Sequence, residues 1–170
     1  MKKRLLASLS IFVLAGSILA GCGETQVEKV DKKSSEKTEQ KAKNQIFKVG
    51  DTVKVNGLEV TITKASFTKP EQYSKAKKGN VLTLELSTKN SGDDSAFIDN
   101  TEFNLYDKDG NQLEEYYGYD DIAISGDVNK GKKLTGKLYY DVPKADSYEL
   151  IYKPSFTLDS KEIKFKIDVK

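Results

Sequence analysis

Histidine and tryptophan are absent from the 170-residue sequence, and cysteine occurs once. Without histidine, the usual zinc sites and the Ser-His-Asp and Cys-His catalytic arrangements are excluded, so an enzyme would depend on carboxylate, lysine or tyrosine chemistry. A single cysteine cannot form an intramolecular disulfide, so packing must stabilise the fold. We therefore expect a protein without a cofactor that is not an enzyme.

A strong charge of either sign is also missing. The sequence has 28 lysine and arginine residues against 26 acidic ones, but three of the positive charges, Lys2, Lys3 and Arg4, precede residue 22. From Cys22 onward, 25 positive charges stand against 26 negative ones, which gives a net charge of −1. A nucleic-acid partner would require a marked basic excess and is therefore excluded.

The first 21 residues have the layout of an export signal, with the three positive charges followed by an apolar stretch at residues 5–19. This stretch is shorter than the ~20 apolar residues of a transmembrane helix. The tetrapeptide Leu19-Ala20-Gly21-Cys22 resembles the lipobox of bacterial lipoproteins, in which the cysteine sulfur receives a diacylglyceryl group before the signal is cleaved. This resemblance implies that Cys22 anchors the protein to the extracytoplasmic face of the cell membrane. The alternative is a structural cysteine or a secretory signal with an incidental thiol.

Residues 22–46 are poor in large apolar side chains and rich in lysine, acidic residues and serine. Such a composition cannot bury enough surface to fold alone, so we predict a flexible linker. As a coil, its 24 residues after the cysteine would span roughly 25–30 Å on average. The linker would therefore hold the next domain away from the lipid headgroups.

Residues 47–170 show a different pattern, because apolar residues recur at every second position. The alternation is clear in the segments 58–62, 82–86, 103–105, 134–142, 148–152 and 163–169. It is typical of half-buried strands, and turn signals such as Asn56-Gly57, Asp109-Gly110-Asn111 and Lys130-Gly131 separate them. Seven or more short strands without a long helical pattern predict an all-β, immunoglobulin-like antiparallel β-sandwich. A small barrel is the alternative.

Four stretches carry a family resemblance: "VGDTVKVNGLEVTIT", "NSGDD", "FNLYDKDGNQ" and "NKGKKLTGKLYYDVPKADSYELIY". In order and spacing they resemble a domain of unknown function that is common in lipoproteins of Gram-positive bacteria. The resemblance covers most of residues 49–152 and implies an immunoglobulin-like sandwich related to a secreted mycobacterial immunoprotective antigen. Lys130-Gly131 departs from the Pro-Gly often found there. The resemblance implies no shared catalytic residue.

The stretch "EEYYGYDD", residues 114–121, is the leading candidate for a partner-binding surface. It combines Tyr116, Tyr117 and Tyr119 with Asp120 and Asp121. Tyrosine offers a large, stiff, amphipathic contact area and is concentrated in binding loops. Alternate tyrosines in a strand can instead pack into the core with the hydroxyl group at its edge. Two acidic pairs in this stretch, Glu114-Glu115 and Asp120-Asp121, leave a carboxylate-based hydrolase as an alternative function.

A weak candidate metal site lies at Asp107, Asp109 and Asn111, whose alternate oxygen-bearing side chains resemble the start of a calcium loop. Counting from Asp107, the sixth and twelfth positions do not carry the glycine and glutamate of an EF-hand. A hairpin turn explains the same residues, because Asp-Gly is a favoured turn pair. We therefore predict no bound metal and keep a calcium-dependent surface protein as an alternative.

The loop "KPEQYSKAKK", residues 69–78, contains four lysines that could contact anionic headgroups or wall polymers. A solvated loop is the ordinary interpretation of such a run. Together these features predict a lipid-anchored, extracytoplasmic module of the cell envelope that binds without catalysis. Its partners would be the membrane, through Cys22, and an unidentified envelope protein or wall polymer.

Overall fold

Two β-sheets face each other in the computed structural model, which describes residues 27–30, 45–158 and 161–169. Within these ranges the strands are β1 Val27–Val30, β2 Ile46–Lys48, β3 Thr52–Val55, β4 Leu58–Thr68, β5 Asn80–Asn90, β6 Ala96–Asp99, β7 Phe103–Tyr106, β8 Ser125–Val128, β9 Lys133–Val142, β10 Ser147–Tyr152 and β11 Ile163–Asp168. A short 3₁₀ turn, Asn100–Glu102, precedes β7. No helix in the described ranges has the length and apolarity to cross a membrane.

One sheet has the order β1-β3-β4-β5-β9 and the other the order β2-β11-β10-β7, while β6 and β8 form a separate two-stranded pair. The predicted all-β sandwich is therefore confirmed. Neighbouring strands run antiparallel, with one exception that the sequence pattern did not predict: β2 runs parallel to β11, with Phe47 opposite Phe165. The rings of these two phenylalanines lie 5.5 Å apart.

The main core lies between the sheets and is built from the alternating positions of the sequence. Leu58, Val60 and Ile62 on β4 and Leu82 and Leu84 on β5 are fully buried. The alternation on β4 ends after Ile62, where the register with β5 shifts by a bulge. A bulge twists the strand and changes which face its side chains occupy. The second half of β4 is consequently only half-buried.

The turn between β3 and β4 has the conformation that its sequence predicts. Asn56 has a φ of 44° and Gly57 a φ of 95°, as a two-residue hairpin of type I′ requires. A side chain at Gly57 would collide with the backbone of Gly92, because the next loop packs directly on the turn. Ser91 donates a backbone hydrogen bond to the Gly57 carbonyl oxygen over 2.9 Å.

Strand β1 lies inside the predicted linker, so a flexible linker over all of residues 22–46 is wrong for this part. Val27–Val30 pairs antiparallel with Thr52–Val55, and Val27 is only 8% exposed. Lys29 also forms an ion pair with Asp51 over 3.0 Å. The edge of β3 offers backbone hydrogen bonds to this segment, and Val27 adds apolar burial. The segment therefore forms a strand despite its polar composition. The lipobox residues 19–21 and Cys22 lie outside the described residues.

Candidate functional site

The loop at residues 69–78 and the segment 114–121 meet at one end of the sandwich. Tyr116 joins them, because its hydroxyl group accepts a hydrogen bond from the Glu71 backbone nitrogen at 2.8 Å and donates one to the Ser74 carbonyl oxygen. The Tyr116 side chain is buried, and a side chain at Gly118 would overlap its hydroxyl group. Glycine at position 118 is therefore required for this contact.

Two further tyrosines complete what we call the tyrosine cluster: Tyr116, Tyr119 and Tyr139. The ring of Tyr119 lies edge-on between the other two, with centroid distances of 5.0 Å to Tyr116 and 4.9 Å to Tyr139. Its hydroxyl group donates to the Lys69 carbonyl oxygen at 2.6 Å. The cluster packs on Val81 and forms a small apolar core separate from the main one.

The other end of the lysine-rich loop is held by Asp141, a buried residue that the sequence analysis did not identify. Its two carboxylate oxygens accept hydrogen bonds from the backbone nitrogens of Lys77, at 2.6 Å, and Lys78, at 2.8 Å. Asp141 interrupts the apolar run at the end of β9, and this was the available signal in the sequence. At the surface, Lys77 Nζ forms an ion pair with Glu114 over 2.9 Å.

Asp121 closes the site on the side of β9. Its carboxylate lies 2.7 Å from Lys137 Nζ and 2.7 Å from the Tyr139 hydroxyl group, which donates to it. These hydrogen bonds, the one from Lys137 above all, lower the pKa of Asp121. Burial raises the pKa of Tyr139 to about 12, and the Asp121 carboxylate adds to this increase. The pair therefore favours an ionised aspartate and a neutral tyrosine.

The tyrosines of the predicted binding surface have different environments. Tyr116 is buried and Tyr119 half-buried, with their hydroxyl groups at the edge of a core, so the structural interpretation applies to them. Tyr117, by contrast, is 82% exposed. Asp120 and Asp121 are exposed as well. Ile122 adds an exposed apolar side chain that the sequence analysis did not single out.

Tyr117 lines two adjoining clefts. The larger, of about 670 Å³, opens between residues 74–77 and residues 112–117, and its wall includes Asn104 and Asp141. The smaller, of about 280 Å³, extends from Tyr117 towards Ile122 and the ring of Tyr139. Both clefts have polar and aromatic walls, which can supply hydrogen-bonding and stacking contacts.

Two carboxylates of this region, Glu114 and Asp121, are each hydrogen-bonded to a lysine. The hydrogen bond from Lys77 lowers the pKa of Glu114, and the pKa of Asp121 is lowered by Lys137. A catalytic acid requires a raised pKa, which is the opposite direction. Glu115 instead accepts a hydrogen bond from Asn100 Nδ2 at 2.7 Å.

The weak metal candidate forms a hairpin turn. Asp107 Oδ1 accepts hydrogen bonds from the backbone nitrogens of Asp109 and Asn111, each at 2.9 Å, and Asn111 Nδ2 lies 3.0 Å from Asp107 Oδ2. Gly110 supplies the positive φ of 83° that the turn requires. Within the described ranges, no group of three or more His, Cys, Asp or Glu side chains is arranged to hold a metal ion.

Comparison with known families gives one match over most of the sandwich. Residues 47–163 match the family model described as "Domain of unknown function (DUF4352)". The structure of the protein from the Bacillus subtilis gene ycdA, a lipoprotein, superposes with a TM-score of 0.57 at 30% identity, covering 66% of this chain and 37% of that one. That of the B. subtilis yjhA protein superposes with a TM-score of 0.59 at 24% identity, covering 74% of this chain and all of that one.

The same two proteins are similar in sequence. The lipoprotein YcdA is 32% identical over 117 residues, which are 66% of this chain and 33% of the relative. The lipoprotein YjhA is 29% identical over 131 residues, which are 67% of this chain and 62% of the relative. This chain therefore spans about a third of the first relative and less than two thirds of the second.

The secreted Mycobacterium tuberculosis protein MPT63 superposes with a TM-score of 0.48 at 17% identity, covering 71% of this chain and 86% of that one.

Proposed function

Because the chain belongs to the DUF4352 family, we propose that it is a membrane-anchored, extracytoplasmic lipoprotein that acts as a non-enzymatic binding module of the cell envelope. The lipobox-like sequence at residues 19–22 supports the anchor, and so does the similarity to two B. subtilis lipoproteins. A diacylglyceryl group provides two acyl chains, which is enough for stable membrane attachment.

The position of β1 supports an outward orientation of the clefts. Only four residues lie between Cys22 and Val27, so the lipid would lie within roughly 18 Å of the β1 start. Val27 pairs with Val55 at the end of the sheet that also carries Leu58 and Asn90. The tyrosine cluster contacts Thr68 and Lys69 at the opposite end of β4, roughly 33 Å away for an eleven-residue strand.

The exposure of Tyr117 between two clefts is the observation that carries the binding proposal. Large exposed side chains are common singly on protein surfaces, but Tyr117 and Ile122 border the same cleft and are 82% and 85% exposed. The buried tyrosine cluster holds the backbone segment that carries Tyr117 and Ile122. Anchoring at the membrane raises the effective concentration of the module near envelope partners, so weak contacts are sufficient.

Two measurements on the native protein test the proposal. Mass spectrometry of the purified full-length protein is expected to show a lipid on Cys22 and no leader, whereas Cys22→Ala is expected to abolish palmitate labelling. Crosslinking in intact envelopes is expected to capture a partner with the wild-type chain and the Phe97→Ala control, but not with Tyr117→Ala. Phe97 is a suitable control because it is 44% exposed and lies on β6, outside both clefts. An unmodified thiol disproves the anchor, and capture that ignores Tyr117 disproves the binding surface.

A further inference from the structure

The Tyr117 ring is exposed, and the backbone that carries it is held by its neighbours. Its hydroxyl group lies beside the Glu115 carboxylate, and partial burial together with that carboxylate raises the pKa of Tyr117. Glu115 is held in turn by the amide of Asn100 and by backbone pairing with Tyr140 on β9. The backbone under Tyr117 is therefore ordered before binding, and the exposed ring presents a large, stiff aromatic face to a ligand.

Planar hydrogen-bonding groups surround this face in the larger cleft. Gln112 Nε2 donates to Asn104 Oδ1 at 3.0 Å, which fixes the two amides relative to each other. The Lys77–Glu114 ion pair and the Ser74 and Lys75 side chains line the same cleft. The wall therefore carries uncharged polar groups together with side chains of both charges, which favours a neutral ligand rich in hydroxyl groups over a strongly charged one.

Two strand edges at this end of the sandwich, those of β7 and β9, are not free for main-chain pairing with a peptide. The outer edge of β7 is already paired, because Leu113 donates its backbone N–H to Leu105 over 2.8 Å. The outer edge of β9 is covered in the same way, with Tyr116 N–H bonded to the Tyr139 carbonyl oxygen over 2.9 Å. Strand addition, a frequent mode of peptide recognition by sandwiches, requires a free edge.

We propose that the larger cleft binds a glycan, with the exposed face of Tyr117 stacked against the C–H face of a sugar ring. The inference rests on the proposed function and names the ligand class of the same site. A pyranose ring offers an apolar face to the tyrosine ring and equatorial hydroxyl groups to the surrounding side chains. Asn104, Gln112 and Glu114 line the same cleft and would supply hydrogen-bond partners for those hydroxyl groups.

The test uses the full-length protein in detergent micelles and a hexamer of β-1,4-linked N-acetylglucosamine as the probe, with isothermal titration calorimetry as the readout. Wild type is expected to bind saturably, and Tyr117→Ala to weaken binding by about tenfold or more, as for a central aromatic contact. Tyr117→Phe keeps the stacking face and is expected to stay within about threefold of wild type. Phe97→Ala is expected to bind like wild type.

Failure has two distinguishable forms. If the hexamer and a second, α-linked glucan oligomer both fail to bind, while envelope crosslinking still depends on Tyr117, the glycan is wrong and the binding module stands. A proline-rich peptide that binds in a Tyr117-dependent manner leads to the same conclusion. If neither glycan binding nor crosslinking depends on Tyr117, the site itself is wrong. Loss of binding in Tyr117→Phe would disprove ring stacking.

Discussion

The two apolar cores of this protein are built by different physical means. The main core between the sheets contains mostly aliphatic side chains, and most of its residues come from regular strands. The second core, the tyrosine cluster, contains aromatic side chains from β9 and from a segment without regular strand structure. In the cluster every ring also carries a hydroxyl group that is bonded to a loop or a carboxylate.

The two cores are therefore expected to have different roles: the main core stabilises the fold, and the tyrosine cluster positions the loop at residues 69–78. Aliphatic burial is non-directional and proportional to area, so the main core determines the free energy of unfolding. Hydrogen bonds contribute little net free energy but specify geometry. We therefore expect substitutions in the main core to change the global stability, and hydroxyl deletions in the cluster to release the loop at residues 69–78 while the sandwich stays folded.

Leu84→Ala is expected to have the largest effect. Leu84 is fully buried at the centre of β5, where truncation leaves a cavity and costs about 2–5 kcal/mol of unfolding free energy. Urea denaturation followed by far-UV circular dichroism measures this loss. Leu158→Ala, at a position 94% exposed, is the matched control. A Leu84→Ala loss as small as that of the control would refute the assignment of stability to the main core.

Asp141→Ala is expected to have an intermediate effect. The substitution leaves the backbone N–H groups of Lys77 and Lys78 without their acceptor, which costs about 1–3 kcal/mol if they stay buried. The loop can also open to water, so limited proteolysis after Lys77 and Lys78 should accelerate more than global unfolding does. Asp141→Asn retains one acceptor oxygen and should give roughly half of the loss. An unchanged rate of proteolysis in Asp141→Ala would show that the Asp141 carboxylate does not hold the loop.

Tyr116→Phe is expected to have a smaller effect, about 1 kcal/mol, because it removes one hydroxyl group and keeps the buried ring. The sharper readout is amide hydrogen exchange, which should accelerate at Glu71. Tyr148→Phe is the matched control, since the Tyr148 hydroxyl group binds Pro143 and Ala145 in another loop. If amide exchange at Glu71 accelerates equally in Tyr116→Phe and Tyr148→Phe, the Tyr116 hydroxyl group does not hold this loop.

Tyr139→Phe is expected to have the smallest effect near neutral pH, because Asp121 keeps its contact with Lys137 and with water. The effect of the substitution on stability is expected at alkaline pH. The unfolded chain deprotonates this tyrosine near pH 10, but the folded chain retains the proton until about 12, so stability falls as the pH rises through this window. As the pH rises through this window, the unfolding free energy of Tyr139→Phe should therefore decline less steeply than that of wild type. An identical slope in the two proteins would exclude a contribution of Tyr139.

The sequence predicted the sandwich because long strands with one buried face carry a local signal. Period-two alternation identified β4, β5, β7, β9, β10 and β11, and Asn-Gly identified the first hairpin. Strands β1, β2, β6 and β8 were not predicted. Each is three or four residues long with one or two buried side chains, whose burial depends on a partner strand distant in sequence. The candidate site was predicted only as two separate stretches.

By itself, the sequence determined the class of fold, the absence of histidine-dependent chemistry and the candidate anchor at Cys22, since all three follow from composition and local order. Only the tertiary structure decided which tyrosine is exposed. Tyr116 and Tyr117 are adjacent and chemically identical, but the strand edge of β9 turns one inward and leaves the other in solvent. It also brought Asp141 to the loop at residues 69–78: the break in the apolar run of β9 marks Asp141 as unusual, but long-range packing decides which groups it contacts.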